Sequence, residues 1–178
     1  MRNPHRPLES LTPSENQFRR QCYHEAGHAL VAWCQGFKVE CVYPQIANNR
    51  VGQTIFVQKL KAVGRTRLSE MLQRCRLTEK RVRICLAGPI AEVETGLVGF
   101  DELQLHADFS AARDLLFKLA PEPVERDAMM GTLYAQTELF IDQRMPQITR
   151  LAERLLRDQY LDENDMGEML GDPRMTLV

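Results

Sequence analysis

The chain has 178 residues, 44% of them hydrophobic, and a formal net charge of −1 at pH 7. That length and apolar content suit one domain with a sizeable core. The near-zero, interspersed charge argues against nucleic acid or an anionic membrane as an obligatory partner. No stretch approaches the roughly 20 apolar residues of a membrane span, and Met1 to Pro7 lacks the apolar core of a signal peptide.

Residues 1–11 read as a flexible leader ahead of a single domain over 12–178. The cysteines are Cys22, Cys34, Cys41, Cys75 and Cys85, an odd number with no C-x-x-C pair. Several fall in apolar surroundings, as buried free thiols do. A reducing cytoplasm is the expected compartment.

Thr12-Pro13-Ser14-Glu15 is a helix start, with Thr12 as N-cap, Pro13 at the first helical position and Glu15 closing a capping box. Gly36 is a stop signal, so one helix is expected from Pro13 to Gln35. Inside it lies His24-Glu25-Ala26-Gly27-His28, an H-E-x-x-H motif. Residues four apart on a helix project to nearly the same side, so both imidazoles can reach one metal ion. Glu25 sits to the flank of that pair, placed to hold a water at the metal rather than to bind the metal. Zinc suits two neutral imidazoles, a third protein ligand and an open fourth position. Gly27 is costly inside a helix, by about 1 kcal/mol relative to Ala. Its expected reason is close approach of another backbone. Cys22 precedes His24 by two residues, which points it to a different face.

Phe37 to Tyr43 alternates apolar and polar residues and predicts a half-buried strand ended by Pro44. Asn48-Asn49-Arg50 reads as a turn. Val51 to Val57 reads as a second strand, making a hairpin or small sheet edge with the first. Lys59 to Arg67 reads as a solvated loop. A short helix is expected over Ser69–Arg76, and a separate one, capped by Thr78, running to Gly96. Pro89 should kink or split that second helix. Gly96 to His106 is a loop, followed by helices over Ala107–Ala120 and Val124–Asp142. Another opens at Pro146, with Ile148, Leu151, Ala152, Leu155 and Leu156 as its amphipathic face, and a last short one, capped by Asp162, ends at Leu170. The expected fold is mainly α, with a small β element.

Two histidines leave zinc underfilled. The candidates for a third ligand are Glu92, Glu94, Asp101, Glu102, His106, Asp108 and Asp114. A helix start favours a carboxylate through its dipole and free N–H groups, which suits Asp108. On residues alone Asp108 and His106 stay nearly tied, with Glu92 behind them.

Four segments in order resemble the FtsH-type zinc metallopeptidase domain. They are His24 to Ala32, Cys85-Leu86-Ala87-Gly88-Pro89-Ile90-Ala91-Glu92, Asp108-Phe109-Ser110-Ala111-Ala112, and Leu151 to Leu156 followed by Asp162 to Leu170. The resemblance runs from about Asn16 to Leu170. It implies a helical peptidase fold over 12–178, with Asp108 as the third zinc ligand beside His24 and His28. Ala107 stands where the family usually has Asn, Pro89 where it often has Arg, and Arg113 where it has Thr. The sequence contains no G-x-x-x-x-G-K-[ST] loop, so the expectation is a stand-alone peptidase domain without the family's ATPase and membrane anchor. Family members are hexameric, so a homo-oligomer and a separate ATPase partner are the assemblies the resemblance implies.

The expected function is a zinc-dependent endopeptidase acting on unfolded or flexible polypeptides, independent of ATP. His24, His28 and Asp108 hold the zinc. Glu25 is the general base, and Glu92 is a supporting carboxylate for a zinc-bound histidine. The loop from Leu97 to Leu105 would form one wall of the substrate cleft, with Leu97, Val98 and Phe100 receiving a side chain. The alternative is a non-catalytic, peptidase-like binding module that docks onto a protease or another partner.

Overall fold

A computed structural model describes residues 12–44, 52–57, 66–96, 99 and 106–172. The first helix, α1 (Pro13–Cys34), begins with the capping box expected at Thr12. The Thr12 hydroxyl accepts from Glu15 N at 3.3 Å, and the Glu15 carboxylate accepts from Thr12 N at 2.9 Å. It ends at Gly36, whose φ of +81° is left-handed backbone that suits glycine. Every residue from Cys22 to Cys34 is buried. A helix apolar on most sides has to be covered on most sides, and the other elements do this. This second half of α1 stands at the centre of the core.

Strand β1 (Lys38–Tyr43) pairs antiparallel with β2 (Gln53–Val57), with Val42 opposite Thr54. The two strands expected from the sequence therefore pair, with a register shift between Val39 and Cys41, while the turn expected at Asn48-Asn49-Arg50 lies outside the described residues. A third strand, β3 (Leu161–Asp162), joins the other side of β1, giving the order β2-β1-β3. Two residues are too short to show alternation, so nothing in the sequence pattern marked β3.

The two helices expected over Ser69–Arg76 and Thr78–Gly96 are one helix, α2 (Arg67–Glu94), capped by Thr66. Thr78 is not a cap: its hydroxyl donates back to the Arg74 carbonyl at 3.0 Å. The helix also runs through Pro89 without a break. Proline removes one N–H and crowds the preceding turn, at a cost of about 3 kcal/mol. Each of the seven residues from Leu86 to Glu92 is buried, and their packing outweighs that cost.

The remaining helices are α3 (Ala107–Phe117), α4 (Pro123–Asp142), α5 (Met145–Asp158) and α6 (Glu163–Leu170). The expected α3 extension to Ala120 stops at Phe117. α5 carries the amphipathic face read from the sequence, burying Ile148, Leu151, Ala152 and Leu155. The α6 start is a second capping box, between Asp162 and Asp165. α1 packs against α2 on one side and α5 on another, and α2 also packs against α3 and α4. The architecture is mainly helical with a small three-stranded antiparallel sheet. Among the described residues no helix is long and apolar enough to cross a membrane. All five cysteines are free thiols.

Candidate metal centre

The α1–α2 crossing builds the centre. Gly27 lets the two helices approach: a Cβ there would lie 2.6 Å from the Ala87 carbonyl oxygen and 2.8 Å from the Ala91 methyl. This is the close backbone approach expected at Gly27. Gly88 answers it from α2, since a Cβ there would lie 2.5 Å from His28 Nε2 and 2.8 Å from His24 Nε2. The backbone of α2 thus runs directly over the two imidazoles.

Each ring has one nitrogen committed. His28 Nδ1 lies 2.6 Å from the Ile84 carbonyl oxygen. A carbonyl only accepts, so Nδ1 donates, and Nε2 of the neutral ring carries a lone pair. His24 Nδ1 lies 2.7 Å from Glu92 Oε1 and donates to that carboxylate, which leaves its Nε2 with a lone pair as well. The two Nε2 atoms face each other at 2.9 Å. Asp108, in the first turn of α3, brings Oδ2 to 3.0 Å from His24 Nε2 and 3.4 Å from His28 Nε2. Three acceptors therefore converge with no donor among them when both rings are neutral. Two of the three are buried and Asp108 is half-buried, and such a set is satisfied by a cation, either a proton on His24 or a metal ion.

The charges express the same crowding. Burial opposes charge on His24, but hydrogen bonds to Asp108 and Glu92 outweigh it and raise the ring from 6.5 to about 9. Burial also works against the Asp108 carboxylate, yet His106, His24 and His28 hold it well below the usual carboxylate range. Glu92 behaves in the same way: burial opposes its charge, and His24 and then Arg20 lower its pKa. Arg20 Nε donates to Glu92 Oε2 at 3.1 Å.

Glu25 is 2% exposed and its carboxylate is held at both ends. Gln21 Nε2 donates to Oε1 at 3.1 Å, and the Thr54 hydroxyl donates to Oε2 at 2.8 Å. His106 caps α3 and lies beside the centre, with Nδ1 3.1 Å from Asp108 Oδ2 and its ring centroid 4.7 Å from that of His24.

Of the candidates read from the sequence, the structure brings together His24, His28, Asp108, His106 and Glu92, with Glu25 next to them on α1. His24, His28 and Asp108 offer ligand atoms close enough to hold one metal ion, and His24, Glu92 and His106 form an overlapping group. Asp114 is exposed. Glu94 is exposed, and slight desolvation, then the Asp142 and Glu138 charges, raise its pKa. Cys22 is fully buried in the core, and burial pushes its thiol up to about 12. Asp101, Glu102 and the proposed cleft residues Leu97, Val98 and Phe100 lie outside the described residues.

Sequence reasoning missed Gly88, Gln21, Thr54 and the Ile84 carbonyl. Gly88 had a signal, a glycine beside a proline in an apolar helix. Gln21 had one too, since it stands four residues before Glu25 on the predicted helix; Thr54 and the Ile84 carbonyl had none, because a hydrogen bond between distant segments leaves no pattern along the chain. No family model matches this sequence, and no curated protein matches it either.

Proposed function

We propose that the chain is a zinc-dependent endopeptidase of the FtsH type that hydrolyses unfolded or flexible polypeptides. The observation that carries this reading is the convergence of His24 Nε2, His28 Nε2 and Asp108 Oδ2 within 3.4 Å, with both Nδ1 protons committed elsewhere. Zinc bonds of about 2.0–2.1 Å in a tetrahedron place ligand atoms about 3.3 Å apart. The spacings of 2.9, 3.0 and 3.4 Å are close to that edge. Two imidazoles and one carboxylate leave a position open, which is the pattern of a catalytic zinc rather than a closed structural one.

A zinc held there would polarise a carbonyl oxygen and bring the pKa of a water to about 7. The chain's own residues would do the rest. His24 and His28 are oriented by Glu92 and Ile84, so each presents Nε2. Glu25 is buried, ionisable and fixed in direction, so it can take the proton of the attacking water and pass it to the leaving amine. The sheet supports a polypeptide substrate. Among the described residues β2 is at the edge in the order β2-β1-β3, and Thr54 on β2 touches Glu25. An extended chain pairing with that edge would be brought alongside the base.

The test is metal analysis of the purified protein coupled to hydrolysis of casein, with and without a chelator. One zinc per chain and chelator-sensitive cleavage are expected. A protein that binds zinc yet cleaves nothing would leave the binding-module reading in its place.

A further inference from the structure

The Glu25 carboxylate is held by two different parts of the molecule. Gln21 lies one turn earlier on the same helix and moves with Glu25. Thr54 comes from β2, 29 residues away in sequence. Its single hydroxyl proton has two acceptors in reach, Glu25 Oε2 at 2.8 Å and the Glu25 main-chain oxygen at 3.2 Å, and the shorter contact goes to the carboxylate. Thr54 is half-buried, on the strand that stands at the sheet edge among the described residues.

We propose that Thr54 is a positioning residue for the base, coupling the placement of β2 to the direction of the Glu25 carboxylate. The proposal rests on the peptidase reading in taking Glu25 as the base. The physical reason is geometric. A glutamate side chain has three rotatable bonds, and one same-helix donor on Oε1 leaves the carboxylate free to turn about that contact. A second donor on Oε2 from another element removes this freedom, and general-base catalysis depends on reach and direction to the proton being removed. A chain that pairs with β2 would then meet a base whose position is set by the same strand.

Thr54→Val keeps the β-branched shape, which suits a strand, and removes only the donor. Thr54→Ser restores the donor. The expected result is a fall in kcat of about 10–100-fold for Thr54→Val, the range for losing a hydrogen bond to a charged group. KM and zinc content should be unchanged, and Thr54→Ser should stay near wild type. A purely structural role would lower both variants together or shift KM. A crystal structure of zinc-loaded Thr54→Val reads the same point without activity: the Glu25 carboxylate should be turned from its place. Wild-type kcat in Thr54→Val, or a serine variant as impaired as the valine one, overturns the proposal. So does an unmoved Glu25 in the crystal. If the wild type cleaves no peptide, the peptidase reading fails on its own, and the position of Glu25 in Thr54→Val still decides the role of Thr54.

Discussion

Glu92 Oε1 lies 2.7 Å from His24 Nδ1, and this contact decides which nitrogen of His24 faces the centre. A carboxylate fixes the ring's tautomer and orientation and raises the basicity of the opposite nitrogen. Glu92 is itself 6% exposed and anchored by Arg20. Glu92→Gln should weaken zinc binding by about 10–100-fold, the range for such outer partners. Competition with a chromogenic chelator measures it, and an unchanged affinity would remove Glu92 from the site.

Asp108 and His106 are close enough together to need separating by experiment. Asp108→Ala should cost at least about 10–100-fold in zinc affinity, more than an outer partner does. Ser110→Ala, at an exposed position on the same helix, should have no effect. If Asp108→Ala keeps full zinc while His106→Ala loses it, the third ligand is His106.

Replacing Glu25 with Gln removes the proton acceptor at nearly constant shape. The variant should fold and bind zinc like the wild type and lose about 10²–10⁴-fold in peptide hydrolysis. The assay should use a permanently unfolded substrate, because stabilities of about 5–15 kcal/mol keep folded ones closed. Wild-type activity in Glu25→Gln would sink the general-base assignment.

The glycines should separate into three outcomes. Gly88→Ala puts a methyl 2.5 Å from His28 Nε2 and should abolish metal binding. Gly27→Ala meets the Ala87 carbonyl at 2.6 Å, where backbone cannot yield cheaply, and should destabilise the fold by about 1–3 kcal/mol. Gly131 lies inside α4 with nothing within 4 Å of its Cβ position, so Gly131→Ala should stabilise by about 0.4–1 kcal/mol. Thermal melts and zinc titrations of the three variants check the order. A Gly88→Ala protein with normal zinc affinity would contradict the placement of α2 over the imidazoles.

The pH dependence follows from His24. Its pKa is raised from 6.5 to about 9, so in the metal-free protein the ring's charge interactions stabilise the fold fully below pH 6.5. That contribution is lost as pH rises through about 9. Metal binding runs the opposite way, because a metal at Nε2 must displace the proton. Apparent zinc affinity should therefore fall as pH drops below about 9, with about one proton released per zinc at neutral pH. Calorimetry in buffers of different ionisation enthalpy counts that proton, and a count of zero would contradict the raised His24.

The amino-acid sequence by itself determined the parts that depend on local spacing. The i, i+4 histidines share a face because a helix repeats about every 3.6 residues, and Thr12, Pro13, Glu15 and Gly36 mark where that helix begins and ends. The amphipathic α5 and the capped α6 were legible for the same reason. The long helix α2 was not: Thr78 is a local start signal and Pro89 a local breaker, and both stand inside one continuous helix whose residues Leu86 to Glu92 are buried. The choice among seven candidate third ligands also depended on long-range packing. Asp108 is 80 residues from His28, Glu92 is 68 from His24, and Thr54 is 29 from Glu25. No periodicity along a chain encodes such distances. They appear only once Gly27 and Gly88 let α1 and α2 cross closely and the start of α3 sets His106 and Asp108 against the histidines.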